Sequence, residues 1–204
     1  MDYALVNLGE ARGKTGLGIG NLIGRIFRGR DKDIGGTPVE IVQRQFKRTA
    51  TDIALLLQER LSEGSIGPDR WSAGRVSLAS AAYAFFIYAW WNHRENGEDR
   101  DFLAASNQAL FRTVDDIIEQ EGGDREEIVD VVRTAFQEIQ AAFGRMDAGD
   151  VHSGEAFALR VQQILLWIAL TDASDIEKAL DQHSAQRLSA LMSETFASLG
   201  PDLA

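Results

Sequence analysis

The sequence predicts an all-α protein: an up-and-down bundle of about six long antiparallel helices, preceded by a glycine-rich basic N-terminal arm. Three observations predict this fold. A residue that can cap a helix stands three positions before a Glu at Thr37, Asp124 and Ser174, which is the spacing of a capping box. Apolar residues then recur every three or four positions, as on the buried face of a helix. The segments between these patterns are short, which favours antiparallel neighbours.

The six helices follow in chain order from their caps, their apolar stripes and the residues that break them. The first has Pro38 at its first position, where the missing amide costs no hydrogen bond. The fourth has the most regular apolar stripe. The fifth is expected to be capped by Ser153, and the sixth to stop before Gly200 and Pro201. The first four helices are predicted at about 38–62, 68–92, 99–120 and 125–147, and the sixth at about 175–199.

The second predicted helix contains an uncharged run of sixteen residues, 76–91. A helix that is apolar on all faces is either the buried centre of a bundle or a membrane span. Because roughly 20 residues are needed to cross the hydrocarbon core, we expect this run to lie at the centre of the bundle. Its aromatic side chains could instead line a ligand pocket, whose candidates are Tyr83, Phe86, Tyr88 and Trp90.

The first 36 residues form a region with a different chemistry from the predicted bundle domain, 37–204. Residues 12–30 contain five basic side chains and no acidic one, whereas the whole chain has a formal charge of −10. Gly16, Gly20 and Gly24 lie four residues apart, a pattern that allows close packing of a helix. Interior glycine costs a helix about 1 kcal/mol relative to alanine, so this helix would form only when packed on another surface.

Two alternatives remain for this arm. It could be a disordered glycine-rich tail, which many domains carry at their ends. Gly9 to Thr15 also resembles a phosphate-binding loop, but the spacing between the glycines is one residue short and the helical body supplies no parallel sheet.

An apolar, arginine-bearing helix can lie on an anionic membrane surface or dock into a groove of a partner protein. The arm has this composition. The residues that we expect to make the contact with a partner or membrane are Leu17, Ile19, Leu22, Ile23, Arg25, Ile26, Phe27, Arg28 and Arg30.

Composition removes several function classes. The chain has no cysteine, which excludes thiol catalysis, disulfides and cysteine-bound zinc. The net negative charge argues against binding of nucleic acid. The histidines His93, His152 and His183 are not spaced as metal ligands of a helical bundle, so neither a metal nor a cofactor is predicted, and we expect no enzymatic activity. The first residues lack a secretory signal, which indicates a cytoplasmic protein, with peripheral membrane contact as an option.

Acidic side chains are concentrated near the end of the third predicted helix, where Asp115, Asp116, Glu119 and Glu121 lie within two turns. They form either a solvated helical face or a docking face for a basic partner. Carboxylates at a helix C-terminus oppose the helix dipole, so the cluster is unfavourable for the isolated helix.

These observations favour a non-enzymatic helical interaction protein whose apolar, basic arm docks on a protein partner, a second copy or an anionic membrane surface. The alternative hypothesis is a small-molecule or lipid-binding bundle with an aromatic pocket around the second helix. A helical inhibitor that captures a basic enzyme on its acidic face, and a nucleotide-dependent enzyme, are the remaining hypotheses.

Overall fold

The structure, a computed structural model, describes residues 37–64, 66–146 and 150–199, and within these ranges the chain is an all-α bundle. Six helices of 18 residues or more build it, as the sequence predicts. The long helices are α1 (Pro38–Glu63), α2 (Ala73–Glu95), α3 (Arg100–Glu121), α4 (Arg125–Gly144), α5 (Val151–Ala169) and α7 (Gln182–Leu199). A single helical turn, α6 (Ile176–Ala179), and two 3₁₀ turns (Pro68–Arg70 and Ala173–Asp175) lie in the connections.

Helix α2 lies at the centre of the bundle. It packs against each of the other five long helices, and Ala79, Ala81, Ala82, Ala84 and Ile87 have no exposed surface. Small side chains on several faces let the surrounding helices approach closely, so the uncharged run is buried by protein. The prediction that it forms the core is confirmed. None of the helices in the described ranges is long and apolar enough to cross a membrane.

Aromatic contacts show the direction in which successive helices run. Phe46 in the first half of α1 packs on Tyr88 in the second half of α2, with ring centroids 5.4 Å apart. Phe102 at the start of α3 stacks on the same tyrosine at 5.7 Å. Phe143 at the end of α4 contacts Trp90 near the end of α2 at 4.4 Å. Helices α1 and α3 are therefore antiparallel to α2 and α4 is parallel to it, which is the up-and-down order expected.

Two of the predicted N-terminal caps are formed. At the start of α1 the Thr37 hydroxyl accepts from the Glu40 amide at 3.3 Å, and the Glu40 carboxylate accepts from the Thr37 amide at 2.7 Å, which completes the capping box. These hydrogen bonds from Thr37 lower the pKa of Glu40 below its ordinary value. At the start of α4 the Asp124 carboxylate accepts from the amides of Glu126 and Glu127, but the Glu127 carboxylate makes no return hydrogen bond to the Asp124 amide, so the predicted capping box is only half formed.

The second helix begins later than predicted. Pro68 opens only a 3₁₀ turn, after which Trp71 is extended and pairs with Leu170 in an isolated antiparallel bridge. The chain re-enters a helix at Ala73, where the Ser72 hydroxyl accepts from the Arg75 amide at 3.1 Å. The bridge ties the α1–α2 connection to the segment after α5, and this pairing is what interrupts the helix.

The prediction for the fifth helix was wrong in its cap. The side chain of Asp150 accepts from the His152 amide at 2.9 Å, so α5 begins at Val151. Ser153 lies inside the first turn and donates its hydroxyl to the Asp150 carbonyl.

The sixth predicted helix is divided. Its chain is extended at Leu180, and a new helix, α7, starts after Asp181, whose carboxylate accepts from the Ser184 amide at 2.7 Å. The Asp181 amide donates to the side chain of the buried residue Gln162 on α5 at 3.0 Å. The expected cap at Ser174 is not used, because Asp172 caps the 3₁₀ turn that precedes α6.

Candidate functional site

A groove opens at one end of the bundle, where the first turns of α2 and α4 meet the last turns of α3 and α5. Its volume is about 490 Å³. The floor is apolar and consists mainly of buried side chains, among them Leu78, Ile117 and Ile168. The rim carries three carboxylates and one guanidinium, those of Glu121, Asp124, Glu127 and Arg75.

Glu121 joins the end of α3 to the start of α2 beside this groove. Its carboxylate accepts from the Gly74 amide at 2.8 Å and from the Ser72 hydroxyl at 2.9 Å. It thus occupies one of the free amides of the α2 N-terminus, where a negative charge is favourable. A β-carbon on Gly74 would lie 2.5 Å from the carboxyl carbon of Glu121, so the glycine is what allows this approach.

The electrostatics of the groove favour a cation. The N-termini of α2 and α4 are already capped by Glu121 and Asp124, so neither offers its amides to an external anion. The C-termini of α3 and α5 contribute negative partial charge. Arg75 donates to the Leu170 carbonyl at 2.8 Å, and no hydrogen bond or ion pair engages the carboxylate of Glu127 within the part of the chain that the structure describes.

Trp167 on α5 gives the groove an exposed aromatic wall. It retains 46% of its surface exposed, and only it and Leu55 are exposed large hydrophobic residues in the described ranges. Tryptophan is among the residues that contribute most often to binding energy at protein interfaces, and its ring face attracts cations. Nothing in the periodicity of the sequence distinguishes Trp167 from a core residue, so its exposure could not be predicted.

A second, shallower groove lies along α3 and has a volume of about 470 Å³. Its main feature is a stack in which the Arg125 guanidinium lies 5.5 Å from the ring centroid of Phe111. The same arginine pairs with Asp115 at 3.2 Å. Because Arg125 is already matched by a carboxylate and a ring, and Arg112 donates to the side chain of Gln43, this groove is the weaker candidate site.

The acidic residues predicted as a docking face lie on the corner between α3 and α4 and are all exposed. Asp115 is engaged by Arg125 and Glu121 caps α2, so these two have structural partners. Asp116 and Glu119 have no ion pair or hydrogen bond to their carboxylates within the ranges described. Glu126 and Glu127, across the turn, extend the same negative surface to the rim of the groove.

The aromatic residues predicted as a possible pocket fill the centre of the bundle. Tyr83, Phe86 and Tyr88 are each 1% exposed, and Trp90 is partly buried against Phe143. Burial raises the pKa of both tyrosine hydroxyls above its ordinary value. None of these residues lines either of the two grooves.

The residues of the arm that were predicted to bind a partner or a membrane, Leu17 to Arg30, lie outside the described residues. Among the residues that are described, no group of three or more histidines and carboxylates is arranged to hold a metal ion.

The bundle architecture does not by itself indicate a function, because helical bundles carry many unrelated activities. Within the described residues, the groove, its acidic rim and Trp167 are the surface features that bear on function. Comparison with protein-family models, with curated proteins and with solved structures gives no match to this chain.

Proposed function

We propose that this is a non-enzymatic interaction protein, in which the helical bundle is a scaffold and the arm docks on a protein partner, a second copy or an anionic membrane surface. The observation that carries the proposal is the opposite chemistry of the two parts. Residues 12–30 combine five basic side chains with a set of large apolar ones, while the acidic excess of the chain lies elsewhere.

The closed core of the bundle supports this proposal. Five long helices pack around α2, and in the described ranges the core residues run from Ile41 to Leu199. Because these helices cover α2 with one another's side chains, the proposal gives the arm's apolar side chains, such as Leu22 and Phe27, a contact outside that core. Apolar residues that a fold does not require for its own core are commonly used for binding.

The composition of the arm also sets how it would bind. Its glycines make an isolated helix unfavourable, so ordering would accompany docking and would reduce the affinity gained per unit of buried area. Its arginines add a long-range attraction to acidic surfaces that weakens as salt is added.

Removal of residues 1–36 tests the proposal. The full chain and the truncated chain are compared by sedimentation velocity over a range of concentrations and by co-sedimentation with vesicles that contain phosphatidylserine. We expect the full chain to associate in at least one of these assays and the truncated chain to remain a folded monomer in both.

A full-length variant in which Arg25, Arg28 and Arg30 are changed to Gln is the matched control. It keeps the arm's length and apolar residues, so weakened association that is sensitive to salt identifies the electrostatic part of the contact. Identical behaviour of the full and truncated chains in both assays would reject the proposed function.

A further inference from the structure

We infer that the groove formed by the ends of α2, α3, α4 and α5 is the receptor for residues 12–30 of a second copy of this chain, so that two molecules exchange arms. This inference rests on the proposed function and names the partner for it. Three observations carry it: the match of chemistry between the groove and the arm, the aromatic wall at Trp167, and the position at which the arm leaves the bundle.

The chemistry of the groove is complementary to that of the arm. The groove combines a buried apolar floor with carboxylates at Glu121, Asp124 and Glu127, and the neighbouring Asp116 and Glu119 add negative charge without partners in the described residues. Residues 12–30 combine apolar side chains with five cations and contain no acid that would be repelled. Such complementarity between an apolar and charged segment and its groove is typical of helix-in-groove recognition.

Trp167 supplies an anchor for such a segment. The ring stands on the wall of the groove with nearly half of its surface exposed, next to the buried Ile168. An arriving apolar side chain would cover the ring, and an arginine could stack on its face. Leu55 is also exposed, at 58%, but it lies on α1 and does not line the groove, so it provides a comparison within the same chain.

The start of α1 lies at the other end of the bundle from the groove. Phe46 on α1 is level with Tyr88 on α2, and the groove is reached at Gly74, 14 residues or about 21 Å back along α2. Thr37 lies nine residues before Phe46 on the antiparallel α1, which adds about 14 Å in the opposite direction. With a rise of 1.5 Å per residue, Thr37 is about 35 Å from the groove along the bundle axis.

This distance favours a second copy over the same molecule. Arg28 and Arg30 lie nine and seven residues before Thr37, so even a fully extended chain carries them at most about 32 and 25 Å from it, short of their own groove. The whole segment 12–30 therefore cannot lie in the groove of its own molecule. In a two-fold dimer with the bundles side by side and antiparallel, the Thr37 end of one copy lies next to the groove end of the other. Both arms can then dock, and the assembly closes as a dimer.

The test uses full-length variants. Glu127→Arg and Trp167→Ala change the groove without removing a cap, and Arg25→Glu with Arg28→Glu changes the arm. Glu194→Arg and Leu55→Ala are the matched controls, because both positions are exposed and line neither groove. Sedimentation velocity should show that each groove or arm variant weakens dimerisation at least tenfold, while each control changes it less than twofold, with every variant melting as a folded protein.

Mixing provides a second measurement. The Glu127→Arg chain has an intact arm, and the arm variant has an intact groove. Each should be monomeric alone, and a mixture should form a heterodimer through the one remaining contact between arm and groove.

The outcomes separate the two levels of the proposal. Association of the unmodified chain that Glu127→Arg and Trp167→Ala leave unchanged would overturn the groove as receptor while the proposed function survived. Docking within one molecule would be shown by an unmodified chain that is monomeric at all concentrations but whose tryptophan emission changes in the arm variant, provided that the change is absent when both chains carry Trp167→Ala. That result would overturn the exchange. Absence of self-association with neither an emission change nor vesicle binding would reject both.

Discussion

At the scale of single residues, the contact between Gly74 and Glu121 decides the shape of the candidate site. A carboxylate at the end of α3 is unfavourable for that helix, but here it caps the first turn of α2. The two residues are 47 positions apart in the chain, so no local pattern predicts the contact. Glycine has a low helix propensity, but at position 74 the absence of a β-carbon lets the Glu121 carboxylate approach the backbone.

This contact predicts a coupling between two substitutions. Glu121→Ala should lower the free energy of unfolding by about 1 kcal/mol, because it removes a capping acceptor. Gly74→Ala alone should be mildly destabilising, since its β-carbon displaces Glu121. In the Glu121→Ala background the same change should be stabilising by about 0.5 kcal/mol, because only the gain in helix propensity remains.

Urea unfolding of the four proteins in this cycle measures the coupling, which we expect to be about 1 kcal/mol. Strictly additive effects would mean that the carboxylate does not cap α2 in solution.

At the scale of helices, the boundaries that the sequence predicts correctly are those set by residues close together in one segment. The capping box of α1 joins Thr37 to Glu40, three residues away, and the stripe of α4 needs only its own residues. The break before α7 depends instead on Gln162, which receives the Asp181 amide from another helix. The continuous apolar pattern through Leu180 favoured a single helix, and the cap that divides it was overlooked.

The start of α2 shows the same limit. Pro68 is a good helix-start signal, yet Trp71 pairs with Leu170 from a segment about a hundred residues later, and the helix has to restart at Ser72. The groove could not be predicted for this reason either, since four helix ends form it. Of its acidic rim, Glu121 belongs to the cluster that the sequence shows on α3 and Glu127 to its continuation across the turn, whereas the place of Trp167 on the wall follows only from the fold.

The cap of α7 predicts a dependence of stability on pH. The hydrogen bonds from Ser184, with smaller contributions from nearby cations, lower the pKa of Asp181 below its ordinary value of 3.8. Because the pKa is lower in the folded state than in the unfolded state, the ionised carboxylate stabilises the fold. This stabilisation is complete at pH values above the ordinary pKa and is lost as the pH falls through the folded-state pKa. Asp181→Ala should therefore lower the Tm by about 2–4 °C near neutral pH, and by less in acid.

Thermal melts of the two proteins between neutral pH and acid measure this difference. Asp181→Asn is the control, because asparagine can still cap a helix but does not titrate. A gap between wild type and Asp181→Ala that is constant down to the lowest pH would contradict the assignment of the cap to the carboxylate.

The packing of α2 predicts a strong position effect for larger side chains. Ala82 has no exposed surface, so Ala82→Leu has no room and should lower the free energy of unfolding by about 1–3 kcal/mol. Ala197→Leu on the exposed side of α7 adds the same atoms and should change it by less than about 0.5 kcal/mol. Urea unfolding of both variants checks this, and equal midpoints would mean that α2 is not enclosed on that face.

At the scale of the whole molecule, α2 makes the bundle a single cooperative unit. Each of the other long helices packs on it, so none can leave without exposing core residues such as Val76 or Ile87. We therefore expect residues 37–199 to unfold in one transition, at the same temperature as the full chain under conditions where the full chain is monomeric.

Native-state hydrogen exchange tests this cooperativity directly. The amides of residues 79–88 should exchange only through global unfolding, because every opening that exposes them also removes the helices that cover them. Asp181→Ala lies before α7, far along the chain from these amides. It should lower the free energy of opening measured from their exchange by the same amount as it lowers the global free energy of unfolding. If those amides kept wild-type rates while the Tm fell, α7 would be separating from a core that survives alone, and the bundle would consist of two units rather than one.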